Sequence, residues 1–140
     1  MHVALNWKDG VSFKGQAPGS GYSLDLSNDP DSGGAGDGFR PMELMALGLG
    51  GCTGIDVISI LQKKRQEVSA FEVRVNTQRK EEHPRVWTNV LIEYVVTGKD
   101  IDPAAVERAI ELSREKYCPA QNMLKAAVRI ESRYEIIPAY

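Results

Sequence analysis

Residues 41–66, PMELMALGLGGCTGIDVISILQKKRQ, read mostly as one long helix, and no other stretch limits the fold as tightly. From Leu44 to Leu61 nearly every position is apolar or glycine. A helix that is apolar all round is normally buried on every side, and a single sheet can cover only one of them. The other side must therefore meet a second helix or a second subunit. Glycines at 48, 50, 51 and 54 crowd around Cys52, and each weakens a helix by roughly 1 kcal/mol against alanine. Glycines at 50, 51 and 54 let an opposing backbone come close. The thiol among them is either an inert small hydrophobe or a group that something has to reach.

The flanking segments read as strands. VALNW and VSFKG surround a hairpin turn at Lys8, Asp9 and Gly10, and YSLDLS alternates as a half-buried strand does. Residues 28–38, NDPDSGGAGDG, lack periodicity and are expected to form a flexible loop into the helix. FEVRVNTQR and VWTNVLIEYVV follow as strands joined by the polar turn KEEHPR. Asp102 and Pro103 then open a second helix, with Val106, Ile110, Ser113 and Tyr117 on one face and an end near Cys118-Pro119. AAVRIESRYEII is a last amphipathic strand. Three strands, a long helix, two strands, a shorter helix and a strand make an α+β fold. A chain of 140 residues suits one domain, spanning 1–140.

Seventeen basic and 19 acidic side chains leave a net charge of −2, with no general attraction for nucleic acid or anionic membrane. The start, MHVALNWKDG, lacks the features of a secretory signal. No apolar stretch is expected to reach the roughly 18 residues that span a bilayer. A cytoplasmic protein is expected, with small molecules or protein as partners.

Two cysteines are too few for a disulfide scaffold, and in a reducing compartment such a pair is catalytic, redox-sensing or simply buried. GLGGCTG is one residue too long between its glycines for a dinucleotide loop, and no Lys-Ser or Lys-Thr follows the acidic loop as a P-loop requires. A phosphatase loop needs arginine where Ile58 stands, and a thioredoxin motif needs C-x-x-C. A zinc site needs four ligands, and only His2 and His83 accompany the thiols. Neither a metal nor a cofactor is expected. Spacing leaves a Cys-His hydrolase pair open, with nothing in its support. Cys118, in EKYCPAQNML, lies where Pro119 stops a helix and a side chain can swing. A reversible pair with Cys52 requires their Cα atoms within about 7 Å.

RPMELMALGLGGCTGIDVISILQKKRQ, followed at a distance by EKYCPAQNMLKAAVRIESRYEI, resembles the OsmC/Ohr family of small peroxide-reducing proteins. The P-x-E-L motif, the glycine-rich cysteine and the distant Cys-Pro carry the resemblance, which extends over almost the whole chain in length and element order. It implies an intertwined homodimer in which antiparallel sheets wrap two long central helices. It also implies that Cys52 is the peroxidatic thiol, Cys118 the resolving thiol, and a dithiol the reductant. Organic hydroperoxides are the favoured substrate, because an apolar interface pocket accepts an alkyl tail. A non-catalytic dimer that binds an apolar small molecule or senses oxidants is the alternative.

Attack on a peroxide needs Cys52 as thiolate with a positive group nearby. The candidates are Arg40 as the cation and Glu43 as the residue that orients it. Nine residues at about 100° each put Glu43 opposite Cys52 on a straight helix, so it would serve through a bend or from the partner chain. Better-known peroxidase branches carry the helper Glu where this chain has Met42, and no arginine precedes Arg40. Asp56, one turn beyond Cys52, brings a negative charge instead of the positive one this chemistry asks for.

Overall fold

The computed structural model describes residues 1–140 and divides into two compact units, 1–45 and 46–140. In the first, β1 (Ala4–Asp9), β2 (Ser12–Ala17) and β3 (Tyr22–Leu26) form an antiparallel sheet in chain order. Asp9 pairs with Ser12 across Gly10 and Val11, and Gly10 takes the positive φ of 52° that so tight a turn requires. Residues 28–38 are a loop, as expected, but one containing a 3-10 turn at Pro30–Ser32 and tied at its ends. Ser27 N–H donates to the Phe39 carbonyl at 2.9 Å and Phe39 N–H to that of Asp25 at 2.8 Å. The buried Ser12 hydroxyl donates to Asp37 Oδ1 at 3.0 Å and holds the far side of the loop.

The second unit is built on β4 (Glu67–Arg79), β5 (Trp87–Lys99) and β6 (Arg129–Pro138), with β5 in the centre. β4 runs antiparallel to β5, and β6 runs parallel to it. The expectation of antiparallel sheets therefore holds for the first sheet and fails for the second. The cause is the long connection through α2 (Pro103–Leu112) and α3 (Pro119–Leu124). A crossover of that length returns the chain in the same direction. Val90, Ile92, Tyr94 and Val96 of β5 are fully buried, and meet Leu49, Val57 and Leu61 of α1 and Val106, Ala109 and Ile110 of α2 in one core. Full burial of each large apolar side chain contributes about 1.5–3 kcal/mol.

Helix α1 (Pro41–Lys63) is 23 residues long and begins in the first unit. Its buried row is Leu49, Thr53, Val57 and Leu61 at four-residue spacing, with Gly50 beside it. A Cβ on Gly50 would stand 2.9 Å from Val75 Cγ2, and one on Gly54 3.2 Å from Val73 Cγ2. These two glycines therefore admit β4 of the same chain. Gly51 does not share their role, since neither it nor Gly48 has a neighbour within 4 Å of an added Cβ. Leu47 and Ile55 lie on that open side, Ile55 with 70% of its surface exposed. By length and composition α1 could cross a membrane, contrary to the expectation that no stretch reaches that length. Its inner row is instead packed on a sheet.

Asp102 caps α2 as expected, accepting from Ala104 N–H at 3.0 Å with Pro103 behind it. The helical segment ends just before Cys118, as expected, but its last turn is not α. It passes at Ser113–Tyr117 into a single π turn, in which Cys118 N–H donates to the Ser113 carbonyl, five residues back, at 2.8 Å. The extra residue changes which side chain follows Ser113 into the core. Tyr117, expected inside at helical spacing, is 49% exposed, whereas Cys118 is fully buried.

Candidate functional site

The π turn brings Cys118 near enough to Cys52 on α1 for the Cys52 thiol to influence its ionisation. Both are free. Cys52 sits on the flank of α1 between its buried and open sides, and is half-buried. Cys118 does not swing at a loose helix end, as the sequence suggests. It is the N-cap of α3, its Sγ accepting from Gln121 N–H at 3.3 Å. Burial above all, with smaller contributions from Cys52 and Asp56 and against the pull of the Gln121 N–H, pushes its thiol up to about 11. At neutral pH it carries its proton.

Behind the thiols lies a chain of buried hydroxyls. Thr53 Oγ1 is 2.7 Å from Tyr94 Oη and 2.7 Å from Ser113 Oγ, and accepts from Gln121 Nε2 at 3.0 Å. Ser113 Oγ donates to Asp56 Oδ2 at 2.9 Å. These bonds fix the direction of every proton. An ionised carboxylate only accepts, so the Ser113 proton goes to Asp56 and Thr53 must donate to Ser113. Thr53 then accepts from Tyr94, and the run is Tyr94 to Thr53 to Ser113 to Asp56. Burial raises Tyr94 above the usual tyrosine range, which keeps it a donor. Gln121 Oε1 is buried and has no partner.

Arg40 and Glu43 form a separate pair in the first unit. Glu43 Oε1 accepts from the Arg40 backbone N–H at 2.9 Å, capping the start of α1, and Glu43 Oε2 accepts from Arg40 Nη2 at 3.3 Å. Arg40 Nη1 also donates to Asp29 Oδ2 at 2.7 Å. Arg40 holds the Glu43 carboxyl below the usual range through its side-chain and backbone hydrogen bonds. The structure thus groups the four candidates as two pairs, Cys52 with Cys118 and Arg40 with Glu43. No basic side chain of the second unit is hydrogen-bonded or ion-paired to Cys52, Asp56, Cys118 or the hydroxyl chain.

Thr53, Tyr94, Ser113 and Gln121 were not foreseen as site residues. Their signal in the sequence is a polar atom at an apolar register. Ser113 falls among Val106 and Ile110, and Tyr94 shares an alternating row with the aliphatic Val90, Ile92 and Val96. Gln121 had no such signal, because α3 itself is not evident.

Residues 34–133 match the family described as OsmC-like protein. The chain is 42% identical over 140 residues to protein YhfA of Escherichia coli K12, covering 99% of this chain and 100% of that one. A hypothetical protein from Aquifex aeolicus has the same fold with a TM-score of 0.87 and 29% identity, over 99% of this chain and 97% of its own. An organic hydroperoxide resistance protein OsmC from Legionella pneumophila superposes with a TM-score of 0.68 over 91% of this chain and 97% of its own; at 15% identity that likeness concerns the fold alone. Together with the element order and the paired cysteines, the family match and the YhfA identity make this chain a member of the OsmC-like protein family.

Proposed function

We propose that the chain is a cytoplasmic, thiol-dependent hydroperoxide reductase that works as a homodimer. Cys52 is its peroxidatic thiol and Cys118 its resolving thiol. The Cys52 thiolate attacks the terminal oxygen of the hydroperoxide, the O–O bond breaks, and the alkoxide leaves and takes a proton as the alcohol. Cys52 becomes a sulfenic acid. The Cys118 sulfur then displaces hydroxide from Cys52, giving the disulfide and water. A dithiol reductant returns both thiols by exchange.

One observation carries this reading: two cysteines far apart in sequence lie near enough for one thiol to influence the other's ionisation, the partly exposed one on a helix flank and the fully buried one at the N-cap of α3. The hydroperoxide-resistance name of the Legionella neighbour is in keeping with it. Arg40, oriented by Glu43, is the cation of the proposal. With Glu43 opposite Cys52 on α1, the partner chain is its proposed source. The open side of α1, with Leu47, Gly48, Gly51 and Ile55, is the proposed dimer face. Its apolar character favours organic hydroperoxides over hydrogen peroxide.

Consumption of cumene hydroperoxide in the presence of a dithiol is the test. The wild type should turn over and Cys52→Ser should fall to background. Undiminished turnover by Cys52→Ser ends the proposal. The second reading, a dimer that senses oxidants or binds an apolar molecule without turnover, draws on the Asp56 carboxylate and the lack of a basic partner near the thiols. It predicts oxidation of Cys52 without multiple turnovers.

A further inference from the structure

Cys118 sits inside a short segment whose two ends are tied to the same atom. At its start, Ser113 Oγ lies 2.7 Å from Thr53 Oγ1. At its end, Gln121 Nε2 donates to Thr53 Oγ1 at 3.0 Å. Both ends also hold Cys118 itself. The Ser113 carbonyl accepts from Cys118 N–H at 2.8 Å, and Gln121 N–H donates to Cys118 Sγ at 3.3 Å. Thr53 is fully buried on α1 and follows Cys52 directly in the chain. It thus ties the residue next to Cys52 to both ends of the segment that carries Cys118.

The two ties differ in what the fold needs of them. Ser113 belongs to the hydroxyl run, taking the Thr53 proton and giving its own to Asp56. Gln121, itself fully buried, is an addition to that run. Thr53 already donates to Ser113 and accepts from Tyr94 Oη at 2.7 Å, so its hydroxyl is satisfied without the amide. The amide can meet Thr53 only through Nε2, because the single Thr53 proton is committed to Ser113. That orientation leaves Oε1 buried with no partner. An unpaired buried acceptor costs the fold stability, and an apolar side chain of similar length would not carry that cost. What the glutamine supplies is the Nε2 bond. It fixes the first turn of α3 on α1, and with it the backbone N–H that aims the Cys118 sulfur.

We propose that Gln121 is a positioning residue of disulfide closure, clasping the Cys118 end of α3 to the Thr53 hydroxyl one residue from Cys52. The proposal rests on the assignment of Cys52 and Cys118 made above. In closure the S–S bond forms, the S–O bond of the sulfenic acid breaks, and the Cys118 proton leaves with the hydroxide as water. Gln121 exchanges no proton and no electron. It narrows the directions the Cys118 sulfur can take, and orientation of that kind contributes directly to rate.

The test is single turnover with stoichiometric cumene hydroperoxide, following the sulfenic acid by a dimedone-type probe and the disulfide by mass. Gln121→Met keeps the length of the side chain and removes both amide atoms. It should form the sulfenic acid at the wild-type rate and close at least about tenfold more slowly. The pH dependence of closure should match the wild type, since no titrating group has changed. Its thermal midpoint should equal or exceed that of the wild type, because an unpaired acceptor has gone and Thr53 keeps Tyr94 and Ser113. Slower closure without loss of stability marks positioning. A glutamine that merely holds the fold together would give slower closure and a lower midpoint at once.

A second measurement uses no Gln121 variant. The wild-type closure rate, divided by the rate constant for N-acetylcysteine attacking the sulfenic acid of Cys118→Ser, gives the effective concentration of Cys118. Serine still caps α3 in that variant. A clasped thiol should exceed about 1 M, well above the mM range of a flexible tether.

Closure by Gln121→Met at the wild-type rate overturns the proposal and leaves the proposed function standing. A Gln121→Met protein that melts well below the wild type, or does not fold, overturns it as well, as does an effective concentration below that mark. A wild type that forms no sulfenic acid removes the proposed function and this inference with it.

Discussion

Cys52 stands in the middle of α1, half-buried on the flank between a row packed against a sheet and a row left largely open in its own chain. Cys118 stands where a π turn gives way to a new helix, with no surface exposed and a backbone N–H on its sulfur. The first has surface open to solvent, and the second has none. That asymmetry is what a two-step thiol reaction needs. An oxidant must meet the accessible sulfur, and the partner must stay reduced and protonated until a sulfenic acid forms beside it. Two equally exposed thiols would offer no such order, and two buried ones would offer no entry.

Losing the buried partner should have the largest effect. Cys118→Ser should leave the first oxidation intact and abolish closure, so that a dimedone-type probe traps Cys52 in stoichiometric amount after one equivalent of peroxide. A trapped Cys118 in the Cys52→Ser protein, at a similar rate, would reverse the two roles.

Alkylation sharpens the same contrast without mutation. With its thiol raised to about 11, Cys118 is thiolate at pH 8 in only about one part in a thousand, and iodoacetamide should modify Cys52 well before it. The same shift bears on stability. The folded state holds the Cys118 proton more tightly than the unfolded chain does, so this contribution is complete below about 9 and is lost as pH rises through about 11. Thermal melting should therefore fall across that alkaline range, and more steeply than in Cys118→Ser.

The smallest expected effect separates the two sides of α1. Gly50→Leu pushes into Val75 and should cost roughly 1–3 kcal/mol in the fold itself. Gly51→Leu meets nothing in its own chain, so it should spare the fold of the chain and weaken only the association proposed for that face. Light scattering and melting on the two variants distinguish these outcomes; a wild type that is a stable monomer at micromolar concentration would remove the proposed interface.

Periodicity made most of this architecture legible. Two-residue alternation located the strands, and the glycine-rich apolar run located α1 and its uncovered side. Alternation assigns faces but not direction, so the parallel pairing of β6 with β5 could not be read from AAVRIESRYEII. The π turn was invisible for a related reason. A spacing rule of 3.6 residues puts Tyr117 inside after Ser113, and only the i to i+5 hydrogen bond moves Cys118 into its place. Arg40 and Glu43 were legible as a pair, being three residues apart at a helix start. Which glycines of the cluster face the sheet and which the open side of α1 is not legible in sequence spacing: Gly50 and Gly54 meet β4, and Gly51 meets nothing in its own chain.

The central claim is that Cys52 and Cys118 are one redox pair, and non-reducing peptide mapping tests it most directly. After one equivalent of cumene hydroperoxide, the wild-type protein should yield a single disulfide-linked peptide joining Cys52 to Cys118 of the same chain, with the linkage cleared by a dithiol. Recovery of both thiols free after the peroxide has been consumed, or linked only between chains, would contradict the account.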